Sequence, residues 1–265
     1  MEQNSDFAAI KRLLDNRIEQ YNRPDFIDSD PVQIPHRFAR KEDIEIAGFL
    51  TATISWGQRK SIVNNANHLM EFMDNTPYDF LMEGGKEDWD RVSRFVHRTF
   101  NGDDCLFFLA SLKNIYRHHQ GLENVFTTGF QSGDNIFSAL KYFREVFLSI
   151  PHANRVSKHI SDVSSNSAAK RLNMYLRWMV RKDDNGVDFR LWKNIPASSL
   201  MLPLDVHSGE VARGLGLLQR KQNDWKAVEE ITAILRQFDP SDPVKYDYAL
   251  FGIGVFESKD LTFNE

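Results

Sequence analysis

The stretch "SDVSSNSAAKRLNMYLRWMVRK", Ser161–Lys182, runs from a Ser/Asn-rich loop without glycine into an apolar helix pattern. Ser167 or Asn166 is expected to cap that helix, since their side-chain oxygens accept the orphan N–H groups of a first turn. This register puts Lys170 in the first turn, where the helix end carries partial positive charge and a lysine costs on the order of 0.3 kcal/mol. The same field favours a neutral amine, so the local cost becomes a gain if Lys170 is a nucleophile. A lysine that bends outward into water is the alternative. Arg177 and Arg181 follow seven and eleven residues later, close to the same face. Leu172, Met179 and Tyr175 or Trp178 add apolar contacts and Arg171 adds charge at the flank, a stripe along which a phosphate backbone can lie. Lys182 is expected to be solvated.

A second stretch, "SLMLPLDVHSGEVARGLGLL", Ser199–Leu218, stops an apolar run at Pro203 and sets Asp205 before an amphipathic helix. Capping alone explains an aspartate there. A carboxylate fixed by its cap is also well placed for chemistry, and both roles stay open at this point.

Charge is unevenly spread. Residues 151–221 hold twelve Lys or Arg against six Asp or Glu, whereas the whole chain carries a net charge of −4. A basic segment on an acidic body is the asymmetry of a surface that meets a polyanion, or of a solvated helix face. With 265 residues, 42% hydrophobic and 12% aromatic, the chain can bury a sizeable core in one large domain or two smaller ones. No run approaches the roughly 18 apolar residues of a membrane span. The acidic, amphipathic N-terminus lacks the layout of a signal peptide, so a cytoplasmic location without membrane contact is expected. Cys105, the only cysteine, excludes an intrachain disulfide and a cluster held by four cysteines of one chain. No metal, cofactor or obligate protein partner is expected.

Period 3.6 dominates elsewhere. "DFAAIKRLLDNRIEQY", "EDIEIAGFLTATISW" with Gly57 as a C-cap, "QRKSIVNNANHLMEFM", "CLFFLASLKNIYRHH", "NIFSALKYFREVFLSI", "AVEEITAILRQF" and "PVKYDYALFGIGVF" all read as helices. No alternating run of strand length competes, so the fold class is all-α.

A lysine in the first turn after a hairpin-like loop, then a P-x-D-x-H segment opening a later helix, resembles the helix-hairpin-helix DNA glycosylases. The matching pieces are "NSAAKRLNMYL" and "LPLDVHSGEVARGLGL". The likeness implies that Lys170 attacks the anomeric carbon of a flipped nucleotide while Asp205 assists it and stabilises the positive sugar. "IEIAGFLTATISWGQRKSIVNNANHLM" is similar to that superfamily's apolar helix, glutamine-containing turn and second helix. Gln58 would then fill the gap left by the base, and Arg59 and His207 would contact nucleic acid together with Arg171, Arg177 and Arg181. Trp56 or Trp178 would stack on the extruded base, core packing being the alternative for each. "DYALFGIG" resembles the closing helix. "KRLNMYLRWMVR" with "PLDVH" is also the pattern of a bacterial family of unknown function, which the chain resembles more nearly. Two departures stand out. The loop has no glycine, and 35 residues separate Lys170 from Asp205, closer to the archaeal 8-oxoguanine glycosylases.

The resemblance implies two helical lobes with a cleft between them, residues 41–195 carrying Lys170 and residues 1–40 plus 196–265 carrying Asp205. It implies a base-excision glycosylase, with or without lyase activity, whose partner is damaged duplex DNA. One alternative is a nucleic-acid-binding protein that keeps the fold without turnover. Another is a hydrolase using His207, Asp205 and His97.

Overall fold

The computed structural model describes residues 2–182 and 184–257. About 69% of the chain is helical, and the strands found, Val96–His97 and Phe100–Asn101, are two residues each. The all-α class is therefore correct. In chain order the helices are α1 (Glu2–Tyr21), α2 (Pro24–Ser29), α3 (Lys41–Ile54), α4 (Arg59–Phe72), α5 (Pro77–Glu83), α6 (Lys86–Val92) and α7 (Gly102–His118). They continue as α8 (Leu122–Gly133), α9 (Ile136–Phe147), α10 (Lys170–Val180), α11 (Val206–Gly214), α12 (Trp225–Phe238) and α13 (Tyr246–Gly252). A π-helical turn, Ile253–Glu257, extends the last of these.

The chain divides into two compact units, residues 27–164 and residues 1–26 with 165–265. The divisions thus fall at 26/27 and 164/165, where the resemblance implied 40/41 and 195/196. The later one lies inside the Ser/Asn-rich loop. Lys170 consequently belongs to the same unit as Asp205.

In the unit of residues 27–164, α3 is buried from Ile44 through Ile54. A cluster of phenylalanines surrounds it: Phe49 packs on Phe108, Phe143 and Phe147, and Phe126 stacks on Phe143 at 4.3 Å. Such ring pairs add directional attraction to the apolar area they remove from water. The expected C-cap of α3 shifts: Ser55 ends the helix, and Gly57 takes φ +100° in the turn that follows. Helix α8, not among the helices expected from sequence although Leu122, Val125, Phe126 and Phe130 share one buried face, forms a close hairpin with α9. A Cβ at Gly129 would lie 2.9 Å from the Ala139 Cα and 2.7 Å from the Tyr142 Cβ.

In the other unit, α10 is the central helix. Every residue from Leu172 to Val180 is buried, including Tyr175 and Trp178. Helix α1 packs against α13, and Tyr246 reaches back to Asp15 with a 3.0 Å hydrogen bond. None of the described helices is long and apolar enough to cross a membrane.

Candidate functional site

The loop before α10 achieves without glycine what glycine commonly supplies. Asn166 and Ala169 both adopt left-handed backbone, at φ +64° and +48°. Asparagine tolerates that region, whereas an alanine there costs roughly 1 kcal/mol and must be held by its surroundings. Several partners hold it. The Asn166 amide donates to Asp224 Oδ2 at 2.9 Å, and the Trp225 N–H donates to the Asn166 carbonyl at 3.1 Å. Asn173 Nδ2 donates to the Ala168 carbonyl at 3.1 Å. Asp224 also caps α12 and is gripped by Arg220, whose hydrogen bonds hold its carboxyl well below the usual carboxylate range. The caps expected for α10 are displaced. Ala169 occupies the N-cap position without a side-chain bond, and Ser167 Oγ accepts from the Ala169 N–H at 3.3 Å instead.

Lys170 is the first residue of α10, as expected. Its ammonium lies 3.9 Å from Asp205 Oδ2 and donates to Met174 Sδ at 3.4 Å. Asp205 caps α11 in a reciprocal box with Ser208. Its Oδ1 accepts from the Ser208 N–H at 3.0 Å and from the Ser208 hydroxyl at 2.9 Å, while Ser208 Oγ accepts from the Asp205 N–H at 3.2 Å. The two carboxylate oxygens therefore divide the work: Oδ1 holds the helix and Oδ2 faces the lysine. Asn223 steadies the Asp205 backbone, donating to its carbonyl at 2.9 Å, and is itself held by Arg213 at 2.6 Å. Both side chains keep an opening to solvent, 28% exposed for Lys170 and 23% for Asp205. Val206 and His207 follow on the exposed surface.

The proposed phosphate stripe is corrected. Arg177 and Arg181 are only 5% and 4% exposed. Arg177 pairs with Asp247 and, at 3.4 Å, with Asp188. Arg181 lies 2.9 Å from both Asp188 and Asp242, and the two guanidiniums stand over the Tyr248 ring at 4.3 and 5.4 Å. These arginines are neutralised inside the unit, so the basic excess of residues 151–221 overstates the surface charge. Trp178 is likewise wholly buried and cannot receive a base. Arg171 is partly exposed, and burial of its guanidinium lowers its pKa to about 10. Lys182 is solvated as expected, 3.4 Å from Asp184.

Sequence reasoning missed Asp247. It is the second residue of α13, buried in an apolar segment, and its pKa is pushed up to about 6. Desolvation is the main cause, opposed by Arg177 and reinforced by Asp205, with Lys170 also acting on it. The signal was present in "KYDYALFG": a lone acid inside an apolar helix pattern requires a buried partner.

The remaining candidates lie in the other unit. Gln58 is exposed at the N-cap position of α4, and its side chain makes no capping hydrogen bond. Arg59 begins that helix, partly exposed. Trp56, also partly exposed, meets His97 edge-on at 5.0 Å and stacks with His159 at 6.2 Å. Both ring nitrogens of His97 are committed, to Asn65 at 2.8 Å and the Trp56 carbonyl at 3.1 Å, and burial pushes its pKa down. His97 is therefore a packed residue with both ring nitrogens occupied, and the hydrolase alternative falls back on His207 and Asp205.

No curated protein and no solved structure matches the sequence. A family model described as "Protein of unknown function (DUF2400)" matches residues 30–256, which spans both units and includes Lys170, Asp205 and Asp247. With most of its length matched, the chain belongs to the DUF2400 family.

Proposed function

We propose that the protein is a DNA glycosylase of the helix-hairpin-helix kind, acting through Lys170 and Asp205. One observation carries the proposal: a first-turn lysine, entered from a left-handed loop, faces the uncommitted oxygen of an N-capping aspartate at 3.9 Å. In the proposed reaction the target nucleotide is extruded, because its anomeric carbon is inaccessible in a stacked duplex. The lone pair of the Lys170 amine forms the bond to that carbon, and the glycosidic electron pair leaves with the base. Asp205 Oδ2 takes up the amine proton or offsets the positive charge on the sugar. The two-lobed glycosylase fold is part of the same proposal. Phosphate contacts fall to exposed side chains such as Lys221, in place of the buried arginines.

The test is incubation with duplexes carrying different base lesions in the presence of borohydride. Opening of the sugar ring, in which the ring oxygen leaves the anomeric carbon and takes a proton, turns the Lys170 adduct into an imine that hydride reduces to a stable amine, so a covalent protein–DNA species supports the proposal. Duplex binding without base release or trapping on any lesion favours a binding protein that retains the fold. Neither binding nor trapping overturns both.

A further inference from the structure

Lys170 and Met174 are four residues apart on α10, a spacing that stacks their side chains on one face of the helix. The thioether is the nearer acceptor: Met174 Sδ accepts from the Lys170 ammonium at 3.4 Å, whereas Asp205 Oδ2 stands 3.9 Å away. Sulphur accepts weakly and a carboxylate strongly, so an ammonium free to choose would close on the aspartate. At 3.9 Å that closure is incomplete, and the pair is ionic without a direct hydrogen bond. Both acceptors are held where they are. Met174 is 8% exposed, in the part of α10 that is buried from Leu172 to Val180. Asp205 is fixed through Oδ1, which takes the N–H and the hydroxyl of Ser208.

We infer that Met174 is a positioning residue for Lys170, its sulphur holding the amine short of a closed ion pair with Asp205. The inference rests on reading Lys170 as the nucleophile. An ammonium hydrogen-bonded directly to a carboxylate gives up its proton less readily and points its nitrogen away from an incoming carbon. An amine held on a neutral thioether keeps Asp205 within reach as proton acceptor and stays open to the reacting carbon. The plainer reading is that Met174 only packs against the methylene stem of the lysine. Leucine separates the two readings, because it keeps the packing and lacks the acceptor.

The test needs no DNA. The full-length protein is treated with formaldehyde and cyanoborohydride at neutral pH, and methylation of Lys170 is followed by peptide mass spectrometry. Met174→Leu should slow the reaction about threefold, the size of a weak ion pair gained with Asp205. In an Asp205→Asn background the same substitution should change nothing, since no carboxylate is left to close on. Met174→Gln supplies an acceptor again and should return the rate toward the wild type. A Met174→Leu rate equal to or above the wild type overturns the inference. So does a slowing that persists in the Asp205→Asn background, or a Met174→Gln rate as low as that of Met174→Leu. If Met174→Leu unfolds, norleucine incorporated for methionine replaces the sulphur by a methylene and gives the same comparison, with the same outcomes. The expected dependence on Met174, in a protein that traps on no lesion, sinks the glycosylase proposal and leaves the positioning contact standing.

Discussion

Asp205 has one carboxylate for two tasks, and geometry keeps them apart. Oδ1 satisfies Ser208 while Oδ2 faces Lys170. The two members of the pair should therefore fail in different ways. Lys170→Gln removes the amine from a partly exposed position that caps nothing, so borohydride trapping should vanish while thermal stability and duplex binding persist. Asp205→Asn retains an acceptor for the Ser208 N–H and should fold, yet lose about 100-fold or more in base release, since the charge opposite the sugar is gone. Asp205→Ala should in addition cost about 1 kcal/mol through the lost cap, read by urea unfolding. Trapping that persists in Lys170→Gln would assign the nucleophile to another amine.

At the scale of elements, the loop before α10 shows how a fixed shape is reached with unfavourable residues. Ala169 sits at φ +48° because Asn166, Ala168 and Trp225 are tied to their neighbours on either side. Asp224 is the shared anchor, capping α12, receiving Arg220 and holding Asn166. Asp224→Ala should cost about 1–2 kcal/mol, the upper range of a lost cap. The sign with pH follows from its lowered pKa. Its contribution is present above the ordinary carboxylate value near 4 and fades as pH falls toward the folded-state value. The stability gap between wild type and Asp224→Ala should therefore be full at pH 7 and narrow below about pH 4, measured by urea unfolding across that range. A gap that is constant from neutral to acid pH would deny Asp224 this role.

On the scale of the whole molecule, the arginines of α10 change from binding surface to internal framework. Arg177 and Arg181 are each shared between two acids, so removing either leaves an uncompensated buried carboxylate. Arg177→Ala and Arg181→Ala should each destabilise the protein by about 3–5 kcal/mol, observed as a lower urea midpoint. Full stability combined with a flatter salt dependence of duplex binding would return these residues to the phosphate-binding surface. Helix α8 makes the same point about packing. Its sequence, "LENVFTTGFQSG", carries β-branched residues and glycines of weak helix propensity, yet Gly129 is what lets α9 approach.

Local chain chemistry was enough to read the all-α class, the entry of Lys170 at the head of α10 and the capping of α11 by Asp205. Each depends on residues within a turn or two of one another, so periodicity and cap preference determine it. The Ser/Asn-rich loop was visible as a composition shift, although the division between units was expected 31 residues further on. Only the tertiary structure decided which side of α10 is inside, because the acids that neutralise its arginines lie 7, 11, 61 and 70 residues away in the chain. A charged side chain reads as exposed until its buried partners are known. The meeting of Lys170 with Asp205, across 35 residues, and the pairing of buried Asp247 with Arg177 were decided in the same way, by packing that brings distant charges together.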